Sequence, residues 1–282
     1  TKGIATGFAT NILPRNPEAV KAACLEYITT GNIKKPIEIK FPEFSGTVEQ
    51  DKEDPNKYMV YGVYEKRSKT QLTIKEVPYG FDRESYVKVL DSLEEDGDIV
   101  SYEDLCDKTG FKFEVKLKQN TSANWPAAKI VSKFKLGKSM SENLTVIDQN
   151  GKLAEYSDAR QVVKDFCDYR MGILQQRIEL RTREQQELCR WLNVKMQFIQ
   201  AVLDGKIEFK NKKKKEVAQR IYEETHALND SDVDRLLRIN ILSLTDEMVK
   251  DLAKEIKEAQ KNLKFWAKET PASQFKSDLE DI

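Results

Sequence analysis

Residues 3–17 read GIATGFATNILPRNP. Gly3 and Gly7 permit tight turns or close approach to another backbone. Pro14 and Pro17 stop regular strand pairing and stiffen the exit. Ile4 sits among small residues, where an apolar side chain has little of its own chain to pack on. Taken alone, the stretch is a glycine-rich loop feeding a helix at about Pro17–Thr29, and a glycine loop is a weak signal.

The period of the sequence divides the rest of the chain. From about Ile37 to Leu153 the apolar residues come in short alternating runs. Phe111, Phe113, Val115 and Leu117 alternate with Lys112, Glu114 and Lys116, which marks a half-buried strand. Met59–Tyr64 and Leu72–Val77 read as further strands, with Ser68 and Lys69 near a turn. A helix over about Arg83–Glu94 interrupts them, and Asp51–Asn56 and Thr121–Pro126 read as loops. This half is expected to be α+β with a mainly antiparallel sheet.

From Ser157 the period becomes helical. Ser157 is a candidate cap, with Asp158 in the first turn. After it, no proline occurs until Pro271, and only Gly172 interrupts a helix that runs to about Leu203. Such a helix is on the order of 70 Å long. Arg181–Glu187 contains no apolar residue, so the helix there crosses solvent as a thin arm. Val249, Leu252, Ile256, Ala259, Leu263 and Trp266 step by three and four, an a/d seam for an antiparallel partner. The segment between the two helices, Gly205–Ser243, forms a small tip with Leu236, Leu237, Ile239, Ile241 and Leu242 as its apolar cluster. With little intrachain core expected there, self-association is its outlet.

Composition sets bounds on function. The chain has 282 residues, 33% of them charged, and a mean hydropathy of -0.62. No apolar run approaches the roughly 20 residues of a membrane span. A start at Thr1, without Met or a leader pattern, reads as an excised piece. Cys24, Cys106, Cys167 and Cys189 form no CxxC pair, which fits reduced thiols in the cytoplasm better than a disulfide frame. Lysines and arginines equal acidic residues at 47 each, so any nucleic-acid contact must come from local patches. Candidates are Lys129, Lys133, Lys135 and Lys138 beside Trp125, and Lys34, Lys35 and Lys40. Lys212–Lys215 is the densest run and reads as solvated surface. His226, the only histidine, reads as a helix-surface residue.

Four ordered stretches resemble the type IIA DNA topoisomerases. The opening resembles that family's Gly-Ile-x-x-Gly, small residue, Thr, Asn-Ile, Pro, Asn-Pro order. Tyr58–Val63 followed by TQLTIKEVP at Thr70–Pro78 is similar to its strand pair. KSMSENLTVIDQNGKLAEY at Lys138–Tyr156 and FCDYRMGILQQR at Phe166–Arg177 resemble its entry into a long helix. LSLTDEMVKDL at Leu242–Leu252, then Thr270–Pro271, resembles its return helix and tail. The early ending is similar to bacteriophage members, and the resemblance implies a cytoplasmic protein, in the host's cytoplasm if it is phage-encoded.

The resemblance implies a layout and a function. Residues 1–156 would be the tower domain with a DNA-bending loop. Residues 157–204 and 244–269 would be an antiparallel coiled-coil arm, 205–243 the C-terminal dimer gate, and 270–282 a tail. Ile4 falls on the family's intercalating isoleucine, with Gly3, Thr6 and Gly7 letting the loop enter the minor groove, and Lys129, Lys133 and Lys135 contacting DNA. Leu236, Leu237, Ile239 and Ile241 would form the gate contact between two copies. The partners implied are double-stranded DNA, a second copy, and a subunit that binds ATP and Mg²⁺.

What the sequence lacks also matters. The family's nucleophilic tyrosine directly follows an arginine, and none of the ten tyrosines does so here. No GxxxxGK[ST] phosphate loop and no acidic spacing for magnesium is present. The segment is therefore expected neither to cut DNA nor to hydrolyse ATP, and to carry no metal or cofactor of its own. Two other readings remain: a non-enzymatic coiled-coil scaffold, and a simple DNA-binding module with strong salt dependence.

Overall fold

The computed structural model describes residues 1–240 and 244–281. The chain forms two compact units, Thr1–Cys167 and Asp168–Ile282.

In the first unit the opening stretch is a hairpin rather than a loop. β1 (Lys2–Ala5) pairs antiparallel with β2 (Phe8–Asn11), Ala5 opposite Phe8, leaving Thr6–Gly7 as a two-residue turn. Such turns need a positive φ, which Gly7 supplies at +83°. The helix signal after it is accurate: α1 spans Pro17–Thr30, and the Asn16 side chain caps it by accepting from the Glu18 N–H. Its buried face packs Ala23 with Ile33, Ile37, Ala159 and Val163.

The strand segments sort into antiparallel sheets. β3 (Thr47–Gln50), β4 (Lys57–Tyr61) and β9 (Gly137–Ser141) form one in the order β3-β4-β9. β5 (Val63–Lys66), β6 (Gln71–Glu76), β7 (Ile99–Asp104) and β8 (Phe113–Leu117) form another in the order β5-β6-β8-β7. The expected strand Met59–Tyr64 is thus two strands that part at Gly62. A side chain there is excluded, because a Cβ would stand 2.3 Å from the Glu76 carbonyl oxygen. α2 (Arg83–Glu95) and α3 (Ala127–Lys133) cover the four-stranded sheet. Between them lie Leu72, Ile74, Leu90, Phe113 and Phe134, and Tyr86 spans this core to donate to the Phe134 carbonyl at 2.7 Å. β10 (Leu144–Ile147) and β11 (Leu153–Tyr156) form a second two-stranded ribbon.

Helix α4 runs Ala159–Leu203 without a break at Gly172. It starts after the expected Ser157 cap, and the Asp158 carboxylate takes that role by accepting from the Arg160 N–H at 2.7 Å. In the second unit, α5 (Lys214–Glu224), α6 (Asp230–Leu237) and α7 (Asp246–Trp266) follow it, and α8 (Pro271–Glu280) closes the chain. Of the apolar positions expected along α7, Leu252, Ile256 and Ala259 are buried, in one cluster with Leu192, Phe198 and Ile199 of α4. The tip differs from expectation. Its apolar residues Ile207, Val217, Ile221, Val233 and Leu236 are buried within the chain, in the same cluster as the α4 and α7 residues. Leu236 is fully buried, while Leu237 and Ile239 are partly buried against the same cluster; Ile241 lies outside the described residues.

Electrostatics fasten this tip. Arg190 of α4 donates to both carboxylate oxygens of Asp232 at 2.7 and 3.2 Å, and also pairs with Glu187. Asp232 is buried and accepts from the Leu228 N–H as well. Hydrogen bonding from the Arg190 guanidinium holds the Asp232 carboxyl below the ordinary carboxylate range, against the cost of burial. The Arg235 guanidinium lies 3.6 Å from the centre of the Trp191 ring.

Candidate nucleic-acid interface

The β1–β2 hairpin presents Ile4 with 83% of its surface exposed and Phe8 with 51%. Strand alternation places them on opposite faces, since Ile4 pairs with Ala9 and Phe8 with Ala5. Gly3 faces Thr10 across the ribbon, where a Cβ would meet the Thr10 methyl at 3.2 Å. Leaving so large an aliphatic side chain in water forgoes about 1.5–3 kcal/mol of burial, so the local fold gains nothing from Ile4.

The hairpin is held at its base. Asn11 and Asn143 exchange backbone hydrogen bonds of 3.0 and 2.9 Å. The Asn143 amide donates to the Ala9 carbonyl at 2.8 Å, and the Asn11 amide to the Ser141 carbonyl. The Thr10 hydroxyl donates to the Asn143 carbonyl at 3.2 Å. Beneath this lies an enclosed ion pair. Arg15 donates to both oxygens of Glu142 at 2.7 and 2.5 Å, with side chains 10% and 4% exposed, and Glu142 also accepts from the Leu13 N–H. Bidentate geometry with a third bond to the carboxylate offsets the cost of burying two charges. Nearby, burial and the Glu142 charge raise the Tyr58 phenol above its usual range, with Arg15 opposing. Asn11, Glu142 and Asn143 were not singled out by sequence; their partners lie 127 or more residues away, and no local pattern signals that pairing.

The lysine candidates lie elsewhere. Lys129 and Lys133 are on α3, their ammonium groups 5.0 and 5.7 Å from the centre of the Trp125 ring. Lys133 is also paired with Asp98 at 2.7 Å, which raises its pKa and neutralises much of its field. Lys135 follows the helix with φ +48°, exposed. Lys138 points over Phe81. Among the described residues no hydrogen bond or ion pair joins these lysines to the hairpin. His226 is exposed, though not on a helix: it lies between α5 and α6, where its ring and backbone nitrogens meet the side chain of Gln197 of α4.

Residues 1–280 match the family model of the DNA gyrase/topoisomerase IV A-subunits. The chain belongs to that family. It is 35% identical to the DNA topoisomerase medium subunit of Enterobacteria phage T4 over 99% of its own length and 63% of that protein's. It is 25% identical to DNA topoisomerase 2 of Arabidopsis thaliana, covering 22% of that enzyme. This family member therefore spans less than two thirds of the relatives it matches. Its fold is that of the DNA-binding, cleavage and re-ligation domain of Plasmodium falciparum topoisomerase II, with a TM-score of 0.75 and 24% identity over 99% of this chain and 42% of the other.

Proposed function

We propose that this chain is the part of the DNA-cleaving subunit of an ATP-dependent type II topoisomerase that bends the duplex and, through α4, α7 and the tip, forms the exit gate. The observation carrying this reading is Ile4, an aliphatic side chain exposed at the end of a hairpin whose base is locked to Asn143 and, through Arg15, to Glu142. An apolar wedge pushed between base pairs costs a few kcal/mol of unstacking, offset when the bent DNA meets more protein. Gly3 keeps the ribbon narrow, and Thr6–Gly7 is a slim turn that enters a minor groove. Lys129 and Lys135 then contact phosphates, and Lys133 does so with a charge already shared with Asp98.

The tip closes the gate by meeting a second copy. Because Leu236 is buried, that contact falls on partly exposed Leu237 and Ile239 and on Leu228 and Phe209, exposed apolar residues of the same segment. ATP and Mg²⁺ act through a different polypeptide or segment. The described residues gather no group of three or more His, Cys, Asp or Glu side chains that could hold a metal. Nor is any tyrosine of this chain assigned as the nucleophile. The site of action is the cytoplasm, the host's if the gene is viral; no described helix is long and apolar enough to cross a membrane.

The test is Ile4→Ala in the assembled enzyme, read by fluorescence transfer between the ends of a labelled duplex. Reduced bending with retained binding is expected. Unchanged bending would refute the wedge.

A further inference from the structure

We infer that the β10–β11 hairpin is a second apolar contact on the same duplex, with Ile147 and Leu153 braced against the groove while Ile4 enters it. This rests on the DNA-bending reading above. Ile147 is 74% exposed and Leu153 47% exposed, and the two are cross-strand partners at the end of the ribbon. The turn between them is firmly built: the Asp148 carboxylate accepts from the N–H groups of Asn150 and Lys152, both at 2.8 Å, and Gly151 takes φ +74°. The pair is thus presented on a fixed support.

Its position gives it a partner. β2 and β10 lie side by side, bridged antiparallel at Asn11 and Asn143. Beyond that bridge no strand ladder joins β2 to β10 among the described residues, and the Asn143 side-chain amide takes the Ala9 carbonyl. The two strands still lie close together, so the hairpin carrying Ile4 and the hairpin carrying the Ile147–Leu153 pair leave the fold from one base.

A wedge bends DNA effectively only if the duplex is held a few steps away, since bending needs a fulcrum as well as an insertion. A few side chains at two narrow tips suit a groove. They are far short of the roughly 800 Å² per partner of a stable protein interface. Lys2, on the Ile4 face, and Lys152, beside Leu153, are both exposed and flank the patch with positive charge.

The experiment compares Ile4→Ala, the double variant Ile147→Ser with Leu153→Ser, and Ile147→Met in the assembled enzyme, by the same bending assay. All three positions are exposed, and circular dichroism checks that the fold is kept. The double variant should lose roughly half of the fluorescence-transfer change, while Ile147→Met, which keeps the apolar surface, should retain it. Unchanged bending in the double variant overturns the inference, including where only the assembly of the enzyme is altered, which would assign the hairpin to a protein partner. Defective bending in the double variant with normal bending in Ile4→Ala would sink the wedge and keep the second contact. Normal bending in both variants would remove both.

Discussion

Glu142 receives the Leu13 N–H and both Arg15 nitrogens, so removing its carboxylate leaves a guanidinium enclosed without its counter-charge. Glu142→Ala should destabilise the first unit by about 3–5 kcal/mol in urea denaturation. A loss under about 1 kcal/mol would show that water replaces the carboxylate freely. Ile4 is the opposite case. Ile4→Ala should change stability by no more than about 0.5 kcal/mol, because the side chain is in solvent. The two residues separate support from contact: one keeps the hairpin in place, the other is spent on whatever the hairpin meets. A third residue governs the acid limit of the tip. The Asp232 carboxyl has a folded pKa below its unfolded value because Arg190 hydrogen-bonds it. Its contribution is therefore complete above the unfolded value of about 4 and is lost as pH falls through the folded value. Asp232→Asn should lower stability at neutral pH and flatten the acid limb of a pH–stability curve followed by circular dichroism; an unaltered acid limb would remove the pair from that role.

Among elements, α7 is the most demanding test of packing. Leu252 is fully buried in the cluster it shares with α4, so Leu252→Ala should cost about 2–5 kcal/mol in thermal or urea unfolding of the second unit. A neutral result would mean that the two helices do not bear on each other at this position. α7 was legible in the sequence because its seam repeats locally at three and four residues, and α1 was legible from Pro17. The alternation of Phe113, Val115 and Leu117 likewise marked β8. The hairpin was not, because a two-residue turn at Thr6–Gly7 looks the same as a loop until Lys2–Ala5 finds Phe8–Asn11. The division of β4 from β5 was hidden too. Gly62 is required by the Glu76 carbonyl, which lies on another strand. The burial of the tip's apolar residues escaped because their cluster is assembled across helices distant in sequence, from Phe198 of α4 through Ile221 and Leu236 to Leu252 of α7. At the candidate site, Ile4 and its glycines could be singled out from sequence; Asn11, Glu142 and Asn143 could not, since their meaning exists only after long-range pairing.

At the scale of the whole molecule, family membership and exposed apolar tips point to a protein completed by partners. The chain carries no excess charge, so the proposed function has DNA held by shape and local contacts rather than by a general field. The gate proposal predicts a dimer through the tip. Sedimentation should give twice the 32.5 kDa of one chain, and a version without residues 205–243 should be monomeric. A concentration-independent monomer for the intact chain would contradict the gate.

The central claim is that Ile4 enters the base stack. The most direct measurement places 2-aminopurine at successive positions of a duplex bound to the assembled enzyme. The account predicts a rise in fluorescence, from unstacking, confined to one step and abolished by Ile4→Ala. A bent duplex with no such rise, or a rise that persists in Ile4→Ala, would contradict it.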